Sequence, residues 1–111
     1  MNIKRIFVAR KQLARLNLRT TKILLKIDFD ITKSLRNAVK RGLPFDLVEG
    51  FDWNTALVVE DLRNDYLERR FQALGLIDDR LYMVVFTPIE GGVRVISLRA
   101  ASRKERSRWP K

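Results

Sequence analysis

The sequence predicts an α+β fold: an antiparallel, mostly meander β-sheet with two N-terminal helices packed on it and a short basic C-terminal helix. Three features carry that expectation. Residues 30–42 show helical apolar spacing with both helix ends marked. Residues 55–98 hold four strand-like segments separated by polar or glycine-containing turns. Ser102 stands three residues before Glu105, the spacing of a capping box, and a basic run follows.

Taken in order, residues 1–26 place Ile3, Ile6, Phe7, Leu13 and Leu16 at roughly helical spacing among bases. That pattern fits an amphipathic arm for nucleic acid or a membrane surface, and equally an upstream extension or a loosely attached tail. The composition changes abruptly at Ile27. Residues 1–22 are therefore set apart as a basic extension, and residues 23–111 are assigned to one domain, long enough for a single modest core.

The alternation of Ile23, Leu25, Ile27 and Phe29 reads as a first strand. Asp30 can cap a helix whose apolar positions, Ile31, Leu35, Ala38 and Val39, follow the i, i+4, i+7, i+8 rule of a core-facing stripe. Lys40 and Arg41 suit the dipole of its last turn, and Gly42 with Pro44 stops it. A second short helix is expected over residues 44–50, with Phe45, Leu47, Val48 and Phe51 available for burial. Trp53 reads as a turn aromatic under the helix-to-sheet junction. Residues 55–60, 69–77 and 81–87 read as strands, with a turn at Asp78-Asp79 and another through Pro88, Gly91 and Gly92. The last strand has apolar residues on both faces, Val93 and Val95 against Ile96 and Leu98, as an inner strand should. Arg103, Lys104, Arg106 and Arg108 follow on the terminal helix.

The formal charge is +10, and its distribution says more than its sum. Residues 1–26 carry eight bases and no acid, residues 27–93 eight bases against twelve acids, and residues 94–111 seven bases against one acid. Two basic ends enclose a mildly acidic middle, a layout that serves RNA, DNA or an acidic protein partner. The chain has no cysteine and no histidine. A disulfide framework, a thiolate or imidazole metal site and a histidine-based triad are thereby excluded, and no cofactor or metal is expected. No apolar run reaches the roughly 18–20 residues that cross a bilayer. Nor do the first residues form a signal peptide's apolar stretch, so a cytoplasmic location is expected.

Two clusters can carry chemistry: Asp65, Tyr66, Glu68, Arg69 and Arg70 before one strand, and Arg94, Arg99 and the tail bases around another. Together they offer a carboxylate, a phenol and several guanidiniums. RNA cleavage by attack of the 2′-hydroxyl needs a base for that hydroxyl, cations for the crowded phosphorane and a proton source for the leaving oxygen. On a plainer reading, Glu68 with Arg69 or Arg70 is a surface ion pair, Tyr66 a turn aromatic, the tail bases a solvated helix face, and Trp109 an anchor for its helix. Arg94 and Arg99 are five residues apart, so a regular strand points them to opposite faces. They can serve one site only if the strand ends or bulges before Arg99.

The runs DFDITKSLRNAVKRGLPFDLVEGF, VVEDLRNDYLERRFQALGLIDDRLYMVVFTP and VRVISLRAASRKERSRW, covering about residues 25–111, resemble the BrnT family of type II toxins. The Glu-x-Arg-Phe and Ile-Ser-x-Arg-x-Ala pieces are the most specific parts of the match. The resemblance implies a RelE-like fold and a ribonuclease that arrests translation, here expected to be a metal-independent endoribonuclease. It also implies a BrnA-like antitoxin partner that alone contacts promoter DNA, through a ribbon-helix-helix part. Carried over by position, the motif residues are Asp65, Tyr66, Glu68, Arg70, Arg94, Ser97 and Arg99. The expected catalytic set is Glu68, Arg70, Arg94, Arg99 and Tyr66. The expected RNA contacts are Arg69, Ser97, Arg103, Lys104 and Arg106. Two positions depart from the family pattern. Arg41 replaces a histidine, and Leu67 replaces a glycine before the glutamate, at a cost of roughly 1 kcal/mol if that turn needs positive φ. These departures favour the alternative of a non-catalytic module that binds an antitoxin or nucleic acid through its basic ends.

Overall fold

The computed structural model describes residues 25–110. The expected extension at residues 1–22 and the strand residue Ile23 lie outside them. Five strands form one sheet in the order β1-β5-β4-β3-β2, where β1 is Lys26–Phe29, β2 Leu57–Glu60, β3 Phe71–Ile77, β4 Arg80–Ile89 and β5 Gly92–Ala100. Strands β2 to β5 are an antiparallel meander, as expected. The sheet as a whole is mixed, however, because β1 runs parallel to β5, pairing Asp28 with Arg94 and Phe29 with Val95. The connection that makes this parallel pair runs through the rest of the chain, which alternation within a single strand does not reveal. Gly92 permits the close approach of the two strands, since a Cβ there would collide with the Lys26 carbonyl oxygen.

Helix α1 is Ile31–Arg41, with Asp30 accepting from the Lys33 amide at 3.2 Å and Gly42 closing it at φ 73°. Its ends are where the sequence puts them. Its rotation is not. Ile31, Leu35 and Val39 are 70%, 62% and 89% exposed, while Ser34 is buried. Polar anchoring sets this rotation. Ser34 Oγ accepts from the Phe45 amide at 2.8 Å, and Asn37 Nδ2 donates to the Leu43 and Leu98 carbonyls at 2.6 and 2.9 Å. Strand β1 ends opposite Val95, so the carbonyl of Leu98 lies on the β5 edge beyond it and has no strand partner there. Leaving that acceptor dry costs about 1–3 kcal/mol, and the helix turns its polar side inward to satisfy it.

The second N-terminal helix is a single 3-10 segment, Phe45–Gly50, which buries Phe45 and Val48 but leaves Leu47 partly exposed. Phe51 is buried, and Trp53 packs edge-on against Phe51 and Phe86 with centroids at 4.6 and 5.1 Å, so it is the turn aromatic at the junction. The main core lies between these elements and one face of the sheet, with Val58, Phe71, Val84, Phe86, Val93, Val95 and Leu98 all at most 2% exposed. Strand β4 runs through Pro88, which was expected in the turn. There β4 pairs only with β5, because the β3 ladder begins at Phe86, so the missing amide of proline leaves no partner unsatisfied on that side.

The opposite face carries a smaller cluster of Leu74, Met83 and Ala101, against which Leu81 and Trp109 pack. Trp109 follows helix α2, Arg103–Arg108, and anchors it. The capping box is complete: Ser102 Oγ accepts from the Glu105 amide at 3.1 Å, and Glu105 Oε1 accepts from the Ser102 amide at 2.9 Å.

Candidate functional site

An extra residue in β5 aligns the site. Val85 pairs with Ser97 and Phe86 with Val95, so Ile96 is left over as a β-bulge. Core-facing residues on β5 therefore run Val93, Val95, Leu98, with a three-residue step at the bulge. Arg94, Ser97 and Arg99 pair with Thr87, Val85 and Met83, alternate residues of β4, and so share the face away from the main core. A regular strand would have separated the two arginines.

Each of these arginines already has a carboxylate. Arg94 Nε donates to Asp28 Oδ2 at 2.9 Å, across the parallel β1–β5 pair, and this bond lowers the pKa of Asp28. Arg99 grips Glu105 with both terminal nitrogens at 2.8 Å. The Arg99 bond, with help from the Ser102 amide, pulls the Glu105 pKa from 4.5 down to about 2. Glu105 thus has two functions: it caps α2 and ties that helix to β5.

The segment 61–70 joins β2 to β3. Asp61 is its pivot, with a side chain only 1% exposed. It accepts from Arg63 Nε and Nη2 at 2.8 and 2.7 Å and from the Tyr66 hydroxyl at 3.1 Å. The Arg63 bonds above all hold its carboxyl at about 2, against an ordinary 3.8. Arg63 in turn lies near enough to Arg99 for its charge to oppose the rise in the Arg99 pKa that Glu105 causes. Arg70 lays its guanidinium over the Tyr66 ring, 4.3 Å from the centroid. Its Nε is buried and has no hydrogen-bond partner among the described residues. The Thr87 hydroxyl donates to the Arg69 carbonyl, fastening the end of the segment to β4 beside Arg94.

Of the expected catalytic set, the structure brings Arg94 and Arg99 onto one face and stacks Arg70 on Tyr66. Glu68 is exposed two residues before Arg70, and among the described residues it makes no ion pair or hydrogen bond. The plainer expectation of a Glu68 pair with Arg69 or Arg70 is not met, since Arg69 pairs with Glu60 at 3.2 Å and lies over the Phe71 ring. Ser97 lies on the arginine face. Arg103 and Arg106 line an open groove of about 850 Å³ with Arg80, Tyr82 and Trp109, while Lys104 is exposed on α2. Arg41 is not on the arginine face: it donates to the Leu98 carbonyl at 3.3 Å, beside Asn37. Leu67 is fully exposed, and Asp78 is the one non-glycine residue with positive φ among the described residues, so Leu67 replaces glycine without backbone strain.

The model of the family described as the ribonuclease toxin BrnT of type II toxin-antitoxin systems matches residues 29–105. The chain belongs to the BrnT family. No curated protein and no solved structure matches it. The matched span runs from the last residue of β1 to Glu105, so it includes the bulged strand and both ends of the Arg99–Glu105 pair. A BrnT-family chain implies an RNA substrate and an antitoxin partner. Sequence reasoning missed Asp28, Asp61 and Arg63, and it read Glu105 only as a cap. No local signal marks Asp28, which meets Arg94 66 residues later through strand pairing.

Proposed function

We propose that this chain is a metal-independent endoribonuclease toxin that cleaves RNA through its own 2′-hydroxyl and so arrests translation in the cytoplasm. The observation that carries the reading is the bulged face: Arg94, Ser97 and Arg99 stand together, with Arg70, immediately before β3, as a guanidinium that has no acidic partner among the described residues. The metal-free part rests on the chain's lack of histidine and cysteine and on its surplus of arginine.

In this reading Arg70, held flat by Tyr66, takes the scissile phosphate, and Arg94 adds charge to the phosphorane. Glu68 accepts the proton of the attacking 2′-hydroxyl. The bond from phosphorus to the 5′-oxygen breaks, that oxygen takes a proton from water, and a 2′,3′-cyclic phosphate remains. Tyr66 acts as the platform, because its hydroxyl proton is committed to Asp61. Arg69, Arg103, Lys104 and Arg106 hold flanking RNA. The toxin domain comprises residues 23–111, and the partner is a BrnA-like antitoxin through which alone promoter DNA is contacted.

The second reading is the non-catalytic module. It is favoured by the pairing of Arg94 with Asp28 and of Arg99 with Glu105, which leaves these two cations largely neutralised. Inducing the chain in bacteria decides between them. Growth arrest with the wild type, relieved by Glu68→Ala and by Arg70→Ala, is the expected result; indifferent growth with intact RNA sinks the toxin reading.

A further inference from the structure

We propose that Ile31, Leu35 and Val39 form the docking strip for an acidic, amphipathic segment of the antitoxin, a proposal that rests on the toxin-antitoxin reading above. The three residues recur at i, i+4 and i+8, so they stand in one row along α1, and all are more than 60% exposed. Three large aliphatic side chains in a row are an expensive surface to leave in water. The helix has no freedom to roll them inward, because Ser34, Asn37 and Arg41 bind the Phe45 amide and the Leu98 carbonyl from the other side.

Charge selects the occupant. Arg36 and Lys40 follow Leu35 and Val39 directly, so they form a basic row alongside the apolar one, and Lys33 lies beyond them. Asp30, the one acid among residues 30–42, is engaged as the helix cap. The chain's own first 26 residues carry eight bases and no acid, so they meet this row with like charge. A second copy brings the same basic row against itself. A partner helix with apolar residues every third or fourth position and Asp or Glu alongside matches both rows.

The chain has no cysteine, which allows a clean footprint. Val39→Cys and, as a control at the far turn, Glu90→Cys are made in the full chain. The rate of maleimide labelling is then read with and without the purified protein encoded by the adjoining gene. The strip predicts fast labelling at position 39 in the free chain, slowed roughly tenfold or more in the complex, with position 90 unchanged. Arg36→Glu with Lys40→Glu should weaken the complex by roughly tenfold or more in calorimetry at low salt. Unslowed labelling at position 39 in a formed complex overturns the strip and leaves the toxin-antitoxin reading standing. Slow labelling in the dilute free chain assigns the strip to the chain itself, and slowing only at high concentration assigns it to a second copy; either overturns the proposal. Failure to form any complex overturns the proposal and the toxin-antitoxin reading together.

Discussion

Arg94 and Arg99, five residues apart in one strand, project from the same side of the sheet, because Ile96 is an extra residue between them. The bulge does for the site what alternation alone cannot: it steps the core-facing row from Val95 to Leu98 and brings both guanidiniums to the open face.

Deleting Ile96 removes the bulge and leaves Arg94 and Arg99 four residues apart in a regular strand, so Leu98 stays in the core, both arginines stay on the open face, and the chain should still melt cooperatively. Inserting one alanine after Ser97, by contrast, sends Leu98 to the open face and Arg99 into the core, or forces the strand to slip its register. Burying an uncompensated guanidinium costs roughly 3–5 kcal/mol. The insertion is therefore expected to abolish cooperative melting followed by circular dichroism, whereas Ile96→Val should cost roughly 1 kcal/mol.

Acid should loosen the chain in a defined window. Glu105 has its pKa lowered from 4.5 to about 2 by Arg99, and Asp61 from 3.8 to about 2 by Arg63. A carboxylate whose pKa is depressed in the folded state binds its proton more readily when unfolded. Its stabilisation is thus complete above its unfolded value and is lost as pH falls toward the folded one. The melting temperature is expected to hold from neutrality to about pH 5 and to fall steeply between pH 4.5 and about 2. Glu105→Gln should flatten part of that fall while lowering stability at pH 7 by roughly 1–2 kcal/mol, the half-exposed Arg99 keeping the loss small.

The two sides of α1 should respond in the reverse of the order that its apolar spacing predicts. Asn37→Ala strips the Leu43 and Leu98 carbonyls of a donor and should cost about 1–3 kcal/mol by chemical denaturation. Val39→Ser, at a position 89% exposed, should stay within about 0.5 kcal/mol of the parent.

Much of this fold is legible in the sequence because its signals are local. Asp30 and Gly42 mark the ends of α1, Ser102 with Glu105 the start of α2, and turn residues separate the meander. What is not legible depends on partners distant in the chain. The parallel placement of β1 brings Asp28 to Arg94, and the rotation of α1 answers the carbonyl of Leu98, 61 residues from Asn37. At the candidate site, the proposed residues Tyr66, Arg70, Arg94 and Arg99 could be named from residue type and from resemblance. That Glu105 would claim Arg99, and Asp61 the Tyr66 hydroxyl, could not, since both follow from how loops close.

The position of Leu67 gives a further check. Its backbone has no positive φ, so Leu67→Gly relieves no strain; it only frees the loop and should lower stability by roughly 0.5–1 kcal/mol. RNA cleavage by that variant should equal the wild type's. A gain in activity on restoring glycine would favour the non-catalytic reading of the wild-type chain.

The central claim is tested most directly by incubating the purified full-length chain with single-stranded RNA in excess chelator and identifying the product ends by mass spectrometry. The account predicts fragments ending in 2′,3′-cyclic phosphate and 5′-hydroxyl, with the rate reduced roughly 100-fold or more in Arg70→Ala. Intact RNA, or cleavage that requires added magnesium and leaves 5′-phosphates, would contradict it.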